Sequence, residues 1–453
     1  MRHNLLASLA AHAAPLFFSL SALAASCSPG PPEPPFADGA GGHPTTDGAA
    51  QGGTRGSGTA SEAATGAGVP GDAGPDATSD APEHPADSAW KAVSWLDGCQ
   101  IDVADEPEKA LPPLRWEPCS GGAPGCTSLA IDWDHDDYPR TASPSVVRWN
   151  DGYRVGLYIR RLGERRTGVY ETDGRPLAAW RHKTCIPTVP AVGHERVWLG
   201  AQRVSVEAPA SAYLVSAYGD LATVSQPIPV DMPSHGLEAS DDTLVLSGLD
   251  GGTITIYDRN SNQAGVFGLT KGGDAPSLGQ MFPVGDSAVG VAFFEVNTPE
   301  AWIWNRQTRA AEPLLRAPSS RVIADIKSDG QTLVWLEAGP ASDGELYGPS
   351  TLWTSPFAAA SEALVPKSRR PGPRIGHRIS AAGEGFYAVY AIGENLIHVY
   401  RLSDALHWSF TTPPELSTIL DIAYVDAREV WVWVRGGVVR QAISELGPGD
   451  PAP

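Results

Sequence analysis

The chain has 453 residues, with 52 Asp and Glu against 33 Lys and Arg and a net charge of −19. A body this acidic repels phosphate backbones and anionic headgroups, which excludes nucleic acid as a partner and membrane binding by charge alone.

Residues 1–27 read as a targeting segment. Arg2 supplies the positive end, residues 16–25 the apolar core, and small residues precede Cys27, the layout of a secretory signal. Ala24-Ala25-Ser26-Cys27 resembles a bacterial lipobox, which implies that Cys27 becomes the lipidated first residue of the mature protein. Ala24 stands where that pattern has Leu, with Leu23 one place early, so an ordinary cleaved signal is the alternative. No other run approaches the ~18–20 apolar residues that span a bilayer, which leaves a lipid anchor as the one membrane attachment. Residues 28–89 are Gly, Pro, Ala, Ser, Thr and acid, and are expected to be a disordered tether. Its nine acids and one base, Arg55, carry −8, and with Arg2 counted apart, residues from Trp90 onward carry −12. As a coil its ends lie roughly 40 Å apart, enough to hold a domain clear of a membrane.

Residues 90–125 form a lead-in segment containing cysteines. The five cysteines of the chain fit one lipidated residue plus two disulfides in an exported protein. Cys99, Cys119, Cys126 and Cys185 allow three pairings. Cys99 with Cys119 and Cys126 with Cys185 is the preferred one, clipping the lead-in and stapling the first strand of the domain to the end of its first unit. A zinc site on the same four lacks paired C-x-x-C knuckles. Asp132, Asp134 and Asp136, with His135 and Asp137, have the alternate carboxylates of a calcium loop, without its Gly and late Glu. A solvated strand exit is the simpler reading.

From residue 126 to 446 one unit recurs, clearest in RVIADIKSDGQTLVWLE at residues 321–337. Two apolar runs, 322–326 and 332–336, flank Ser328-Asp329-Gly330, and Asp-Gly between such runs is a strong hairpin signal. Both runs are apolar at nearly every position, as in a sheet covered on both faces. With Asp329 as marker, equivalent turns fall at Asp151, Ala201, Asp242, Asp286, Glu384 and Asp426, spaced 50, 41, 44, 43, 55 and 42 residues apart in chain order. A strand-rich repeat of roughly 40 to 50 residues marks propeller blades, each too small to hide both faces alone. The fold class is therefore all-β, a seven-bladed β-propeller. Its last unit offers three strands, so the early run at 127–133 is expected to be the fourth, closing the ring before a tail at 447–453. The tryptophans that recur in the strands, among them Trp302, Trp304, Trp335, Trp431 and Trp433, are expected to pack between blades.

SDGQTLVW at 328–335 looks like the repeat of WD40-like, TolB-type propellers. Together with the signal and tether, the whole resembles exported bacterial propeller lipoproteins. The resemblance implies a monomeric binding or scaffolding module at the cell envelope, facing periplasm or cell surface, with a protein or glycan partner and no cofactor. Seven residues before the turn markers stand Pro144, His194, His235, Gly279, Val322, His377 and Ile419. Convergent imidazoles hold transition metals. His194, His235 and His377, with Gln280 beside them, thus give an alternative: a divalent metal at the channel mouth of a polysaccharide lyase or hydrolase, similar to oligogalacturonate lyase. Gly193-His194 and Gly376-His377 equally resemble the structural Gly-His pair of WD-type repeats. Gly285-Asp286-Ser287 lacks the glycines that follow a trypsin-like nucleophile, and no phosphate loop, Gly-x-Ser-x-Gly elbow or His-Glu-x-x-His helix occurs. The insertion at 339–350, carrying Tyr347, is the expected contact loop.

Overall fold

The computed structural model describes residues 90–451 apart from 95–99, 131–143, 162–163, 188–189, 204–209, 217–227, 231–233, 241–242, 249–252, 259–262, 269–276, 286, 294–298, 306–307, 319, 340, 343–345, 360, 375–378, 392–394 and 417. At Cys185, His235, Gln280 and Tyr347 the backbone alone is described.

Nearly all of it is antiparallel sheet, laid down in chain order. The opening sheet runs Ser145–Trp149, Gly152–Arg161, Glu164–Glu171, Pro176–His182, and is extended outward by the hairpin Gln100–Ala104 and Trp90–Ser94. The next holds Ala191–Val192, Arg196–Arg203, Ala210–Ser216 and Ile228–Val230, with Cys185–Pro187 paired off this path. Then come Ser234–Ala239 through Gln263–Gly268, Ser277–Val284 through Ala310–Leu315, Val322–Ser328 through Lys367–Gly372, and Ser380–Gly383 through His407–Phe410. The closing sheet joins Ile419–Val425, Glu429–Val434 and Gly437–Ala442 to Cys126–Ala130, with Glu117–Pro118 at its outer edge.

This is a β-propeller. The first strand of each sheet lies against the first strand of the next, and Ile419–Val425 of the closing sheet lies against Ser145–Trp149 of the opening one. Packed apolar clusters fill the seams: Val322, Leu336 and Leu352 meet Tyr387, Val389 and Tyr400 in one, and Leu129, Trp431 and Val438 meet Tyr153 and Val155 where the circle closes. Four of the sheets are plain four-strand meanders, the closing one adds Cys126–Ala130 and the two-residue Glu117–Pro118 to its three late strands, and the opening sheet and its successor carry extra strands. The central unit is as the sequence predicts. Val322–Ser328 is buried at every position but its last, and Trp180, Trp198, Trp304 and Trp431 are fully buried.

Closure uses the early strand, at Cys126–Ala130. Leu129 pairs with Val438 and Ser128 with Val439, so the two ends of the domain share one sheet and the outer edge of Gly437–Ala442 is covered.

Two expectations are corrected. The turn placed at Ala201 does not exist: Ala201 lies inside Arg196–Arg203, paired with both Ser211 and Pro187. The reversal sits earlier, where the Gly193 N–H donates to the Arg196 carbonyl at 2.7 Å. The preferred disulfides, Cys99–Cys119 and Cys126–Cys185, give way to Cys119–Cys126, with Cα atoms 5.4 Å apart, inside the usual range. Glu117–Pro118 and Cys126–Ala130 pair antiparallel, and Gly121 and Gly125 take positive φ of 68° and 75°, so a tight hairpin brings these two thiols together before any distant partner competes. Cys27 and Cys99 lie outside the described residues, as do Asp132, His135, Asp136, Asp242 and Asp286.

The lead-in is built into the ring. Leu111 is 2% exposed, and Trp116 packs edge-to-face on Trp431 with centroids 5.3 Å apart. Arg440 lies over both indoles.

Candidate functional site

The turn acids that mark the repeat do two jobs. Asp329 Oδ1 accepts the N–H groups of Gln331 and Thr332 at 2.9 and 2.6 Å, which closes its own turn, and Gly330 supplies the positive φ of 91° that the reversal requires. Its other oxygen accepts the Gly385 N–H at 2.8 Å, which fixes the corresponding turn of the next sheet. Asp426 repeats the arrangement at the closure. Its Oδ1 accepts from Arg428 N and Glu429 N, while the Tyr153 hydroxyl donates to the same carboxylate at 3.0 to 3.1 Å. Burial and this carboxylate push the Tyr153 phenol well above its ordinary range, so it remains a donor. Between these turns, Arg148 of the opening sheet pairs with Glu384 of the sixth. Charge-assisted bonds from the turn acids thus tie sheets together on one face of the ring.

On that face, along the seam between the sheet ending in Lys367–Gly372 and the sheet of Ser380–Gly383, lies a cleft of about 610 Å³. Asp329 and Gln331 border it from one turn, Glu384 from the next, Lys367 and Arg369 from the outermost strand, and Arg401 and Ser403 from the far hairpin. Thr354 and Ser355, 2% and 1% exposed, form the floor.

Its charges are not equally engaged. Asp329 is consumed by three backbone donors, and Glu384 by Arg148. Arg401 forks onto Asp404, with Nε–Oδ1 3.0 Å and Nη2–Oδ2 2.5 Å, which lowers the Asp404 carboxyl to about 2. Arg369 uses only its Nε, donating to Thr354 Oγ1 at 2.7 Å. Its terminal nitrogens and the Lys367 ammonium have no protein partner among the described residues. The cleft therefore offers cations while its carboxylates are committed elsewhere.

Sequence reasoning missed this cleft, although a signal exists. Between Glu362 and Glu384 the chain carries Lys367, Arg369, Arg370, Arg374 and Arg378 with no acid, an exception in so acidic a protein.

The predicted site residues are not gathered there. His194 is exposed in the turn before Arg196–Arg203, with its carbonyl accepting from Arg154 Nη1 at 2.8 Å. The misplaced turn at Ala201 explains the error, since counting back seven from it reached a turn tip instead of an inner strand. His235 sits in Ser234–Ala239, and His377 lies outside the described residues. Among the described residues, no three His, Cys, Asp or Glu side chains are grouped to hold a metal. The insertion at 339–350 folds as a ribbon, with Ala341 paired to Tyr347 and Ser342 to Leu346. It extends from the Ala338 and Ser350 ends of its strands, whereas the cleft lies at the Thr332 and Pro356 ends. Seven residues of strand separate the two, roughly 20 Å at ~3.3 Å per residue.

No described protein family matches this sequence, and no curated protein does. Among solved structures, the chain is similar to a streptogramin B lyase at 12% identity and TM-score 0.45, covering 70% of this chain and 96% of that one. The β-propeller domain of the trilobed protease from Pyrococcus furiosus gives 13% identity and TM-score 0.40, covering 68% and 92%. TolB from Acinetobacter baumannii gives 11% and 0.35, covering 57% and 63%. Likenesses at this level carry no argument about activity, and the fold assignment rests on the sheets themselves.

Proposed function

We propose that the chain is a binding or scaffolding module, working through the cleft on the turn face of a seven-bladed ring. The blade count is supported by the unbroken circle of first-strand contacts from Ser145–Trp149 to Ile419–Val425. That circle takes in the opening sheet and its successor, with their extra strands, as blades. The observation that carries the binding reading is the cleft itself. Lys367 and Arg369 present unengaged cationic nitrogens over a polar floor. Rigid scaffolds with loops at one face ordinarily recognise partners there. The sequence of the first 27 residues supports export with a lipid on Cys27, and residues 28–89 support a tether that presents the ring at the envelope, as a monomer, to a protein or glycan.

Hydrogen–deuterium exchange of the purified chain, with and without a soluble extract of the host envelope, tests the placement. Slowed exchange at 329–332, 384–386 and 401–403 is the expected outcome. Protection confined to the ribbon at 341–347, or none, would overturn it.

A further inference from the structure

We infer that the cleft takes an acidic oligosaccharide, a carboxylated glycan chain of the uronate class. This rests on the binding reading above and names its ligand.

Charge comes first. The body of the protein is acidic, yet the strand Lys367–Gly372 carries three bases among six residues, and two of them, Lys367 and Arg369, face the cleft. Their free nitrogens select an anion. A guanidinium whose Nε is already anchored on Thr354 presents its terminal pair in a fixed plane, the geometry that suits a carboxylate.

The rest of the lining separates a sugar from a peptide. Gln331, Thr332 and Ser403 add amide and hydroxyl groups at the cleft wall, donors and acceptors of the sort a polyol requires. An acidic peptide would use an apolar anchor pocket or a free strand edge. Neither is offered. Phe386 and Leu402, the large apolar side chains of the lining, are 8% and 3% exposed, already spent on packing. The edge strand holds Pro371 beside Arg369 and Arg370, a composition that blocks pairing with an added strand. The volume, about 610 Å³, falls within the ~300–1,000 Å³ of small-ligand sites.

The test is calorimetric titration of the whole exported chain with four probes: a short oligouronate, a neutral oligosaccharide of equal length, oligoglutamate, and sodium acetate. The oligouronate is expected to bind saturably, more weakly as salt rises, and about tenfold or more weakly to Lys367→Ser/Arg369→Gln, with Lys367→Arg retaining affinity. Arg369→Gln also removes the Nε bond to Thr354, so Lys367→Ser alone, at an exposed position, is measured beside it and is expected to weaken binding with an unchanged melting temperature. Oligouronate binding that the double variant leaves intact would overturn the site. Equal binding of the neutral probe would overturn the role of charge. Oligoglutamate binding as tightly would overturn the sugar class, and acetate displacing the oligouronate at equal carboxylate concentration would reduce it to simple anion capture. Absence of binding to any probe, with exchange protection at the cleft retained, would overturn the ligand class and leave the binding module standing.

Discussion

Replacing Gly437 by Ala should open the ring. A Cβ on Gly437 would lie 2.1 Å from the carbonyl oxygen of Leu129 and 3.2 Å from its carbon, on the strand to which Gly437–Ala442 is paired. Both obstructing atoms are backbone, so no rotamer relieves the overlap, and the two strands must part at the point where the early strand closes the circle. Leu129 is 5% and Val438 1% exposed. Partial exposure of two such side chains, at ~1.5–3 kcal/mol for full burial of each, amounts to about 2 kcal/mol. One or two lost ladder bonds at ~1 kcal/mol each bring the total to about 3 kcal/mol. Urea unfolding followed by tryptophan fluorescence reads this directly, because Trp431 is fully buried in the same sheet. Gly268→Ala is the control. Among the described residues nothing lies within 4 Å of a Cβ added there, and a change within about 0.5 kcal/mol is expected. Equal unfolding midpoints for Gly437→Ala and the native chain would refute the closure argument.

Tyr387→Phe removes the hydroxyl that donates to Asp325 at 2.6 Å in a fully buried seam, and should cost about 2–3 kcal/mol in the same assay. Reduction of the Cys119–Cys126 bond, which closes a loop with a sequence separation of 7, should cost about 2 kcal/mol, measured as the shift in urea midpoint with and without reductant. Acidification should weaken the fold in a defined window. Burial lowers His182 to about 3 and, with Arg370, lowers His407 to about 4. Between the ordinary histidine value near 6.5 and those values the unfolded chain binds protons that the folded one refuses. Stability is then full above ~6.5 and falls as pH drops toward ~4, and a urea midpoint flat across that range would contradict it. Deletion of residues 447–453 should expose an edge. Asp450 exchanges two backbone bonds with His407, at 2.9 and 2.7 Å, and Trp408 Nε1 donates to the Gly447 carbonyl at 3.0 Å. A loss of about 2–3 kcal/mol, together with concentration-dependent association seen by light scattering, is expected.

How much of this was legible in the sequence follows from how local each feature is. Ser328-Asp329-Gly330 announces its turn because the chemistry is complete within a few residues: a side-chain acceptor, two nearby N–H donors and a Gly with positive φ. The closing strand was readable because apolar runs at opposite ends of the domain each lacked a partner. Ala201 misled because Gly200-Ala201 has the small residues of a turn, whereas they pair with Ala212 and Ser211 inside a strand. Counting back from Ala201 therefore lands on His194 at a turn tip and not on an inner strand. The Cys119–Cys126 bond has a local signal, the Gly-rich span 120–125 between the two residues, which lets the chain fold back on itself there. The cleft was the hardest to foresee, since it is assembled from residues 329–403 on two sheets, and which charges are engaged there depends on partners as distant in sequence as Arg148.

The placement of Trp90–Ser94 has a mechanical consequence. Tension arriving along the chain from residues before Trp90 meets first the outermost hairpin, where Trp90 pairs with Ala104. Cys126–Ala130 lies further along the chain, behind the disulfide-closed hairpin of Cys119 and Cys126. Load applied through residues before Trp90 is therefore expected to peel the peripheral ribbon first, ahead of the strand that keeps the circle intact.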